Sequence, residues 1–493
     1  MREIVRQLEM SVRIEPAQST PKERQSAVFW LNRPFVLIEN RGIEPSASCV
    51  EPVDTVGLFA KLSRGVQAIG VSGIVLVLWS LSQTPAKVEA TDLRGANFRG
   101  ADLRGSDFRE ANLSDADFSS ADLSNAVLTG AALYRANLSH TTLVGAQINV
   151  ADLTNANLTG ANLTNAILTG ANLTGADLRN ANLQGADLMH ALLVGTDLRE
   201  ADLRGATIAG TRFIGADLRG ADLREALMVS PPYKAGFANS NLAEADLSGT
   251  DLSNANFTRV DFSSANLSGA NLRGTNLSDA NLSDANLTGA DLRDANFTDA
   301  SLHRANFGEA NLIGVDLSNV ELIRANLSSA ILSGANLYSA DLRGADLSRA
   351  NLNNAQLFGT QLIGADLSSA NLNGAELFSA SLNGADLKGA SLSGASIRTA
   401  NLRNANLSNV NLTNADISGT DLSNANLSNA NFSGADLRDA GFGRANLSGA
   451  NLNRARSWSE ERLNQALLCH TQLPAHTNLN PDRDCQVLGI QSN

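Results

Sequence analysis

From Leu93 onward the chain places a large apolar residue at every fifth position, with small or polar residues between. One run of this pattern extends from Leu93 to Met228 and holds 28 units, and a second run from Phe237 to Leu452 holds another 44. A period of five fits neither the 3.6 residues per turn of an α-helix nor the alternation of a flat strand. The pattern therefore predicts a chain that turns a corner after each short extended segment.

The other four positions of the unit agree with this interpretation. Ala usually stands two residues before the apolar centre and Asp or Asn one before it, while Ser, Thr or Arg follows the centre directly. The last position is mostly Gly, Asn, Asp or Ser, and Gly, Asn and Asp tolerate the left-handed backbone of a tight corner. We expect the centre to point inward, Ala to pack beside it, and the polar positions to face water.

These 72 copies of Ala-(Asp/Asn)-Leu-(Ser/Thr/Arg)-(Gly/Asn) resemble the pentapeptide-repeat family over residues 91–456, about three quarters of the chain. The resemblance implies an all-β fold, a right-handed quadrilateral β-helix with four units in each 20-residue coil. The two runs, residues 91–228 and 237–456, then form 7 and 11 coils. At a strand spacing of about 4.8 Å they give a rod about 85 Å long.

A 20-residue coil also predicts ladders of like residues along the rod. One ladder is an amide series suited to stacked hydrogen bonds, and another is an arginine series with aspartates two residues earlier that offset its charge. The members are Asn266, Asn286, Asn306 and Asn326, then Arg179, Arg199 and Arg219, with Asp177, Asp197 and Asp217.

The register shifts by one residue through positions 229–236, which include Pro231 and Pro232. This interruption is either an inserted loop or bulge that the solenoid tolerates, or a kink in the rod that docks a partner. The pattern alone does not choose between them.

The segment ahead of the repeats lacks the five-residue pattern. Residues 1–60 resemble no fold that we can name, and residues 61–90 hold an apolar run, Val66–Leu81, and a linker. We interpret residues 66–81 as an N-terminal hydrophobic helix that anchors the protein in a membrane. The alternatives are a cleaved export signal, with a processing site at Val88–Ala90, and a buried core helix.

Residues 457–493 follow the last repeat and are expected to close the open end of the solenoid. A helix capping box begins at Ser457, and Leu463, Ala466 and Leu467 supply an apolar face. The sequence predicts a C-terminal cap helix followed by a tail.

Charge limits the partners that the rod can have. The chain carries a net charge of −12, and residues 91–456 hold 26 basic and 37 acidic residues, a net −11. Some pentapeptide-repeat proteins resemble duplex DNA and bind type II topoisomerases, but B-DNA of the same length would carry about 50 negative charges. We therefore expect no mimicry along the whole rod, and an acidic surface that repels nucleic acid.

No arrangement typical of an enzyme stands out, and we predict a non-enzymatic protein without cofactor or metal. The histidines of the repeats, His140, His190 and His303, are isolated in the sequence and lack the spacing of metal ligands. The three cysteines form no CxxC pair, which leaves a zinc or iron–sulfur site unsupported.

The sharpest candidate for a binding site is aromatic. Tyr338, Phe358 and Phe378 each follow a centre and lie 20 residues apart, while Ile323 and Ile363 occupy the same position on a neighbouring side. Stacked rings can simply stabilise the wall, but contiguous exposed apolar surface usually marks an interaction site. Our leading hypothesis is a scaffold that binds an unknown protein partner along one side. The runner-up is a soluble regulator that inhibits a nucleic-acid enzyme by partial DNA mimicry.

Cys469 and Cys485 give information about the cellular compartment in which the solenoid lies. Their Cys…Leu-Pro…Arg-Asp-Cys ending resembles the tails of many cyanobacterial pentapeptide-repeat proteins, which implies a disulfide between them. Disulfides persist in oxidising compartments, so we expect the solenoid on the periplasmic or thylakoid-lumenal side. Two free thiols in the cytoplasm remain the alternative.

Overall fold

The computed structural model describes residues 35–39, 66–71, 74–79, 92–230 and 233–490. Ahead of the repeats it contains three strands, β1 (Phe35–Glu39), β2 (Val66–Val71) and β3 (Ile74–Trp79). They pair antiparallel in the order β1-β3-β2.

The prediction of a hydrophobic helix over Val66–Leu81 was wrong, because its described residues form the paired strands β2 and β3. The composition explains the difference. The run is rich in Val and Ile, which favour strands, and only Ser72 and Gly73 separate the two strands in sequence, the spacing of a two-residue hairpin. Within the described parts of the chain no helix is long and apolar enough to cross a membrane.

The repeats form a solenoid whose coils are joined by parallel β-bridges between residues 20 apart, from Asp92–Asn112 to Asp436–Arg456. Each centre donates its N–H to the next coil, as Leu93 does to the Asn112 carbonyl at 2.8 Å. Each unit then turns a corner through a hydrogen bond from the following Ala to the centre, 3.1 Å for Ala96 N to the Leu93 carbonyl. The corner after each short segment, predicted from the period of five, and the 20-residue coil implied by the resemblance are both confirmed.

The corners explain which residues end each unit. The last residue of the unit has a positive φ except where the chain enters the inserted hairpin, for example 65° at Gly95 and 58° at Asp115. A left-handed third residue is the mark of a type II turn, which is why Gly, Asn and Asp recur there. The Leu and Phe centres and the Ala residues are buried in one continuous core. Each buried Leu or Phe side chain contributes about 1.5–3 kcal/mol to folding.

The interruption at 229–236 is an insertion into one coil rather than a break in the solenoid. Bridged residues are 24 apart across it, as in Arg212–Gly236 and Asp217–Asn241, and 20 apart on either side. A two-stranded hairpin, β4 (Val229–Ser230) and β5 (Tyr233–Lys234), holds the additional residues. The ladder thus continues across the insertion at Arg212–Gly236, Asp217–Asn241 and Asp222–Asp246, and the 20-residue spacing resumes after it.

Deleting Ser230–Tyr233 is therefore expected to leave a folded rod. The deletion joins Val229 to Lys234 and recreates a pentapeptide unit, Ala-Leu-Met-Val-Lys, ahead of Ala235. We expect its free energy of unfolding to stay within about 1 kcal/mol of the parent, because shortening a loop changes the closure entropy only slightly. Urea unfolding followed by circular dichroism measures this.

The matched control removes four residues from a regular coil, Asn256–Arg259, which shifts the following register by one and turns centres outward. This control should unfold or aggregate. Equal stability of the two deletions would contradict the insertion model.

The predicted amide ladder is present. The Asn286 side chain donates to the Asn266 Oδ1 at 3.2 Å, and Asn326 donates to Asn306 at 2.8 Å. Buried threonines that replace Ala also find partners, as Thr141 Oγ1 donates to the Phe118 carbonyl at 2.8 Å. Every buried side-chain nitrogen and oxygen in the described residues has a hydrogen-bond partner.

The C-terminal end differs from the predicted cap helix. Only one turn, α1 (Glu460–Leu463), is helical, and Ser459 makes no capping hydrogen bond through its side chain. The chain then returns to the repeat pattern, because Leu467 bridges Asn446 and Gln472 bridges Asn451. The end of the solenoid is thus covered by a modified coil, in which Leu467 lies at an outward position and is only partly buried.

Candidate functional site

Tyr338, Phe358 and Phe378, the aromatic stack, lie one above another on one side of the rod. Consecutive ring centroids are 5.2 Å apart, with interplanar angles of 7° and 17°. Tyr338 is 46% exposed, whereas the two Phe side chains are half-buried. The ring faces cover each other, so the stack presents its edges to solvent.

The two ends of the stack differ. At one end the Arg398 guanidinium lies 5.9 Å from the centroid of the Phe378 ring, within the range of a cation–π contact. At the other end the equivalent position one coil earlier is Ser318, since Asp316 bridges Asn336. A serine side chain is too small to cover a phenol ring. The outer face of Tyr338 therefore has room for one more planar group.

Ile323 and Ile363 lie on the neighbouring side, as predicted, but they do not form a continuous apolar stripe with each other. Arg343 occupies the same position in the coil between them. Ile363 is 42% exposed, and Ile323 is half-buried. Ile323 instead lines an open groove of about 700 Å³, the basic groove. Its lining residues are Ser283, His303, Arg304, Ile323, Arg324, Arg343 and Gly344.

Most basic side chains of the basic groove lie beside a carboxylate. Arg343 pairs with Asp341 at 2.6 Å, and its hydrogen bond holds the pKa of that carboxyl below its usual value. The His303 Nε2 lies 2.8 Å from the Glu321 Oε2. Among the described residues Arg324 has no carboxylate within 4.0 Å. The groove is thus a place where the acidic rod can accept a negative group from outside.

The predicted arginine and aspartate ladders interlock. Arg199 pairs with Asp197 of its own unit at 2.6 Å and reaches Asp217 of the next coil at 3.6 Å. Arg219 donates to Asp217, which lowers the pKa of that carboxyl. These carboxylates are neutralised locally, so this surface does not present the continuous negative charge of a nucleic acid.

A disulfide joins Cys469 to Cys485, with 4.8 Å between their Cα atoms, and both residues are buried. The tail is also fixed by Arg483, which donates to the Asn464 and Ala466 carbonyls. Leu468 donates its N–H to the Asp484 side chain at 3.0 Å. Carbonyls at the end of the solenoid are thereby satisfied by the tail.

The tail also contains a cluster that sequence reasoning missed. Potential ligand atoms of Cys469, His470, Asp482 and Cys485 all lie within 4.8 Å of one another. The sequence predicted no metal site because the cysteines form no CxxC pair. The available signal was a His directly after one Cys and an Asp three residues before the other.

Solved structures similar to this chain are repeat proteins of the same kind. HetL, a pentapeptide repeat protein involved in heterocyst differentiation regulation in the cyanobacterium Nostoc sp. strain PCC 7120, is 32% identical, with 45% of this chain and 89% of HetL covered and a TM-score of 0.26. A pentapeptide repeat protein from the Arabidopsis thaliana thylakoid lumen is 30% identical over 27% of this chain and 92% of its own, with a TM-score of 0.22. No curated protein matches the chain significantly.

The family model described as "Pentapeptide repeats (8 copies)" matches most of the solenoid. The matched segments lie within residues 91–228, 240–319 and 321–454. They cover well over half of the chain and coincide with the coils described above. The chain therefore belongs to the pentapeptide-repeat family, whose members fold as right-handed quadrilateral β-helices.

Proposed function

We propose that this protein is a non-enzymatic scaffold that binds a protein partner along the side that carries the aromatic stack. The observation that carries the proposal is the open face of Tyr338 above Ser318, at the end of an otherwise closed stack. Aromatic pairs contribute about 0.5–1.5 kcal/mol beyond the area that they bury, and exposed aromatic anchors are typical of binding hot spots.

The geometry also supports a proposal for the chemistry of the partner. A partner aromatic side chain above Tyr338 extends the stack by one ring. The basic groove lies on the adjoining side, where Arg324 favours a carboxylate. The partner segment is therefore an aromatic residue accompanied by Asp or Glu.

Two substitutions test this site. Tyr338→Ser removes the ring on which the partner stacks, and Ser318→Phe fills the open position with a ring of the rod itself. We expect both to weaken partner binding by at least about tenfold while the solenoid stays folded. Partner captured by cross-linking from the native host and identified by mass spectrometry is then titrated against each purified variant.

Tyr134→Ser is the matched control. Tyr134 holds the same position of its unit and is 39% exposed, but Ser114 and Thr154 precede and follow it one coil away. We expect this variant to bind as the parent does. Unchanged binding by Ser318→Phe would exclude the open face of Tyr338 as the docking point.

The runner-up function, inhibition of a nucleic-acid enzyme by partial DNA mimicry, has less support. The interlocked Arg199 and Asp217 ladders neutralise carboxylates that a mimic must expose. A supercoiling assay with a type II topoisomerase distinguishes the two functions. Inhibition that survives Tyr338→Ser would favour mimicry.

We further propose that the rod works in an oxidising compartment, the periplasm or the thylakoid lumen. The cystine at the end of the solenoid supports this, because such bonds are rare in the cytosol. Thiol alkylation of protein isolated from its native host, before and after reduction, is the test. We expect Cys469 and Cys485 to label only after reduction, and full labelling without reductant would place the rod in the cytoplasm.

A further inference from the structure

The cluster of Cys469, His470, Asp482 and Cys485 has the form of a small cup. The two cysteines are buried and form its floor. The His470 and Asp482 side chains are 39% and 46% exposed and form its mouth. The imidazole and the carboxylate are thus open to solvent beside two buried sulfur atoms.

The mouth of the cup is held by local hydrogen bonds. The Asp482 Oδ1 accepts the backbone N–H of His470 at 2.7 Å and lies 3.0 Å from the His470 Nδ1. The same oxygen is 3.8 Å from the Cys485 Sγ. On the floor, the Cys469 N–H donates to the Thr471 Oγ1 at 3.2 Å. The four residues are therefore positioned by the fold and do not meet through the disulfide alone.

We propose that reduction of this disulfide converts the cup into a zinc site. A dithiol reductant transfers two electrons and two protons to the cystine, the sulfur–sulfur bond breaks, and the reductant becomes a disulfide. Zn²⁺ then displaces the two thiol protons and binds two thiolates, the His470 imidazole and the Asp482 carboxylate.

This ligand set suits zinc, which prefers four-coordinate sites of thiolate, imidazole and carboxylate. Tetrahedral zinc with bonds of about 2.0–2.3 Å places its ligand atoms about 3.3–3.8 Å apart. On reduction the two bonded sulfur atoms must separate, whereas the other ligand atoms, which already lie within 4.8 Å, need to approach by only about 1 Å. The tail then stays fixed to the solenoid in both redox states, by a covalent bond when oxidised and by the metal when reduced.

Cobalt binding to the full-length protein tests the site. Cys49 is replaced by Ser so that only the tail cysteines remain, and the protein is reduced with a phosphine that does not bind the metal. We expect one equivalent of Co²⁺ to produce a thiolate-to-cobalt charge-transfer band, and one equivalent of Zn²⁺ to remove it. Oxidised protein should give no band.

The variants His470→Ala and Asp482→Ala each remove one of the two proposed ligands that are not part of the disulfide. Both variants can still form the cystine, so their fold is checked first in the oxidised state. We expect each to weaken Co²⁺ binding at least tenfold, while His476→Ala, another tail histidine outside the cluster, leaves it unchanged. Zinc should also restore the protease resistance of the tail that reduction removes.

Two results would overturn the proposal. One is the absence of a cobalt band in reduced protein. The other is equal affinity of His470→Ala, Asp482→Ala and the parent together with a tail that stays protease-sensitive, since two cysteines of an open tail would then bind the metal alone. Neither result concerns the aromatic stack, so the zinc site and the proposed scaffold function fail separately.

Discussion

Phe237→Ala should lower the free energy of unfolding of the solenoid by about 3–5 kcal/mol. Phe237 is fully buried and stacks between Phe213, at 4.7 Å, and Phe257, at 5.2 Å. It is also the first centre after the inserted hairpin, where the core must continue across a 24-residue coil. Removing the ring leaves a cavity between the Phe213 and Phe257 rings.

The loss should be local, because each coil of a solenoid contacts only its neighbours. Amide hydrogen exchange is expected to increase first around residues 211–246, and urea unfolding gives the overall change. Phe378→Ala is the control. The Phe378 ring lies on the outside of the rod, so its removal should lower the free energy of unfolding by only about 1 kcal/mol, the contribution of the lost stacking. If both variants lowered the free energy of unfolding by the same amount, the buried stack of Phe213, Phe237 and Phe257 would not be what holds the two runs together.

Cys485→Ser is expected to cost about 3 kcal/mol at the C-terminal end, because the bond closes a loop between residues 16 apart. The released tail no longer holds Arg483 against the Asn464 and Ala466 carbonyls. Coils near residues 444–472 then lose protection from exchange and proteolysis, and the rod unfolds from that end.

Limited proteolysis with a metal chelator present measures this effect. Parent protein reduced under the same conditions should show the same cleavage pattern as Cys485→Ser, and oxidised parent should resist. If the variant resists cleavage as well as the oxidised parent does, the hydrogen bonds of the tail are sufficient without the disulfide.

The solenoid could be predicted because its sequence pattern repeats every five residues. A centre at every fifth residue defines the inward positions. The 20-residue coil that the resemblance implies then places Asn286 next to Asn266 and Phe358 next to Tyr338. The same rule places Arg343 between Ile323 and Ile363, so the interruption of that stripe follows from the sequence.

Aperiodic segments could not be predicted in the same way. The apolar run over Val66–Leu81 is too short for its period to distinguish a helix from a pair of strands. Its many Val and Ile residues favour the strands that the structure contains. The capping box expected at Ser457 does not form, since the single helical turn Glu460–Leu463 begins after Ser459, and Ala466-Leu467-Leu468 then resumes the repeat. The four-residue cluster in the tail depends on irregular turns that no spacing rule encodes.

The hairpin inside the 24-residue coil shows how a protein of this kind can change in evolution. Gain or loss of whole 20-residue blocks keeps every ladder aligned, and any other length has to be absorbed at a corner, as Val229–Lys234 is. The docking point proposed at Tyr338 could therefore be moved along the rod only in steps of one coil, about 4.8 Å. Distances between equivalent positions along the solenoid are therefore whole multiples of the coil spacing. A partner that contacted two such positions would have to match one of these distances.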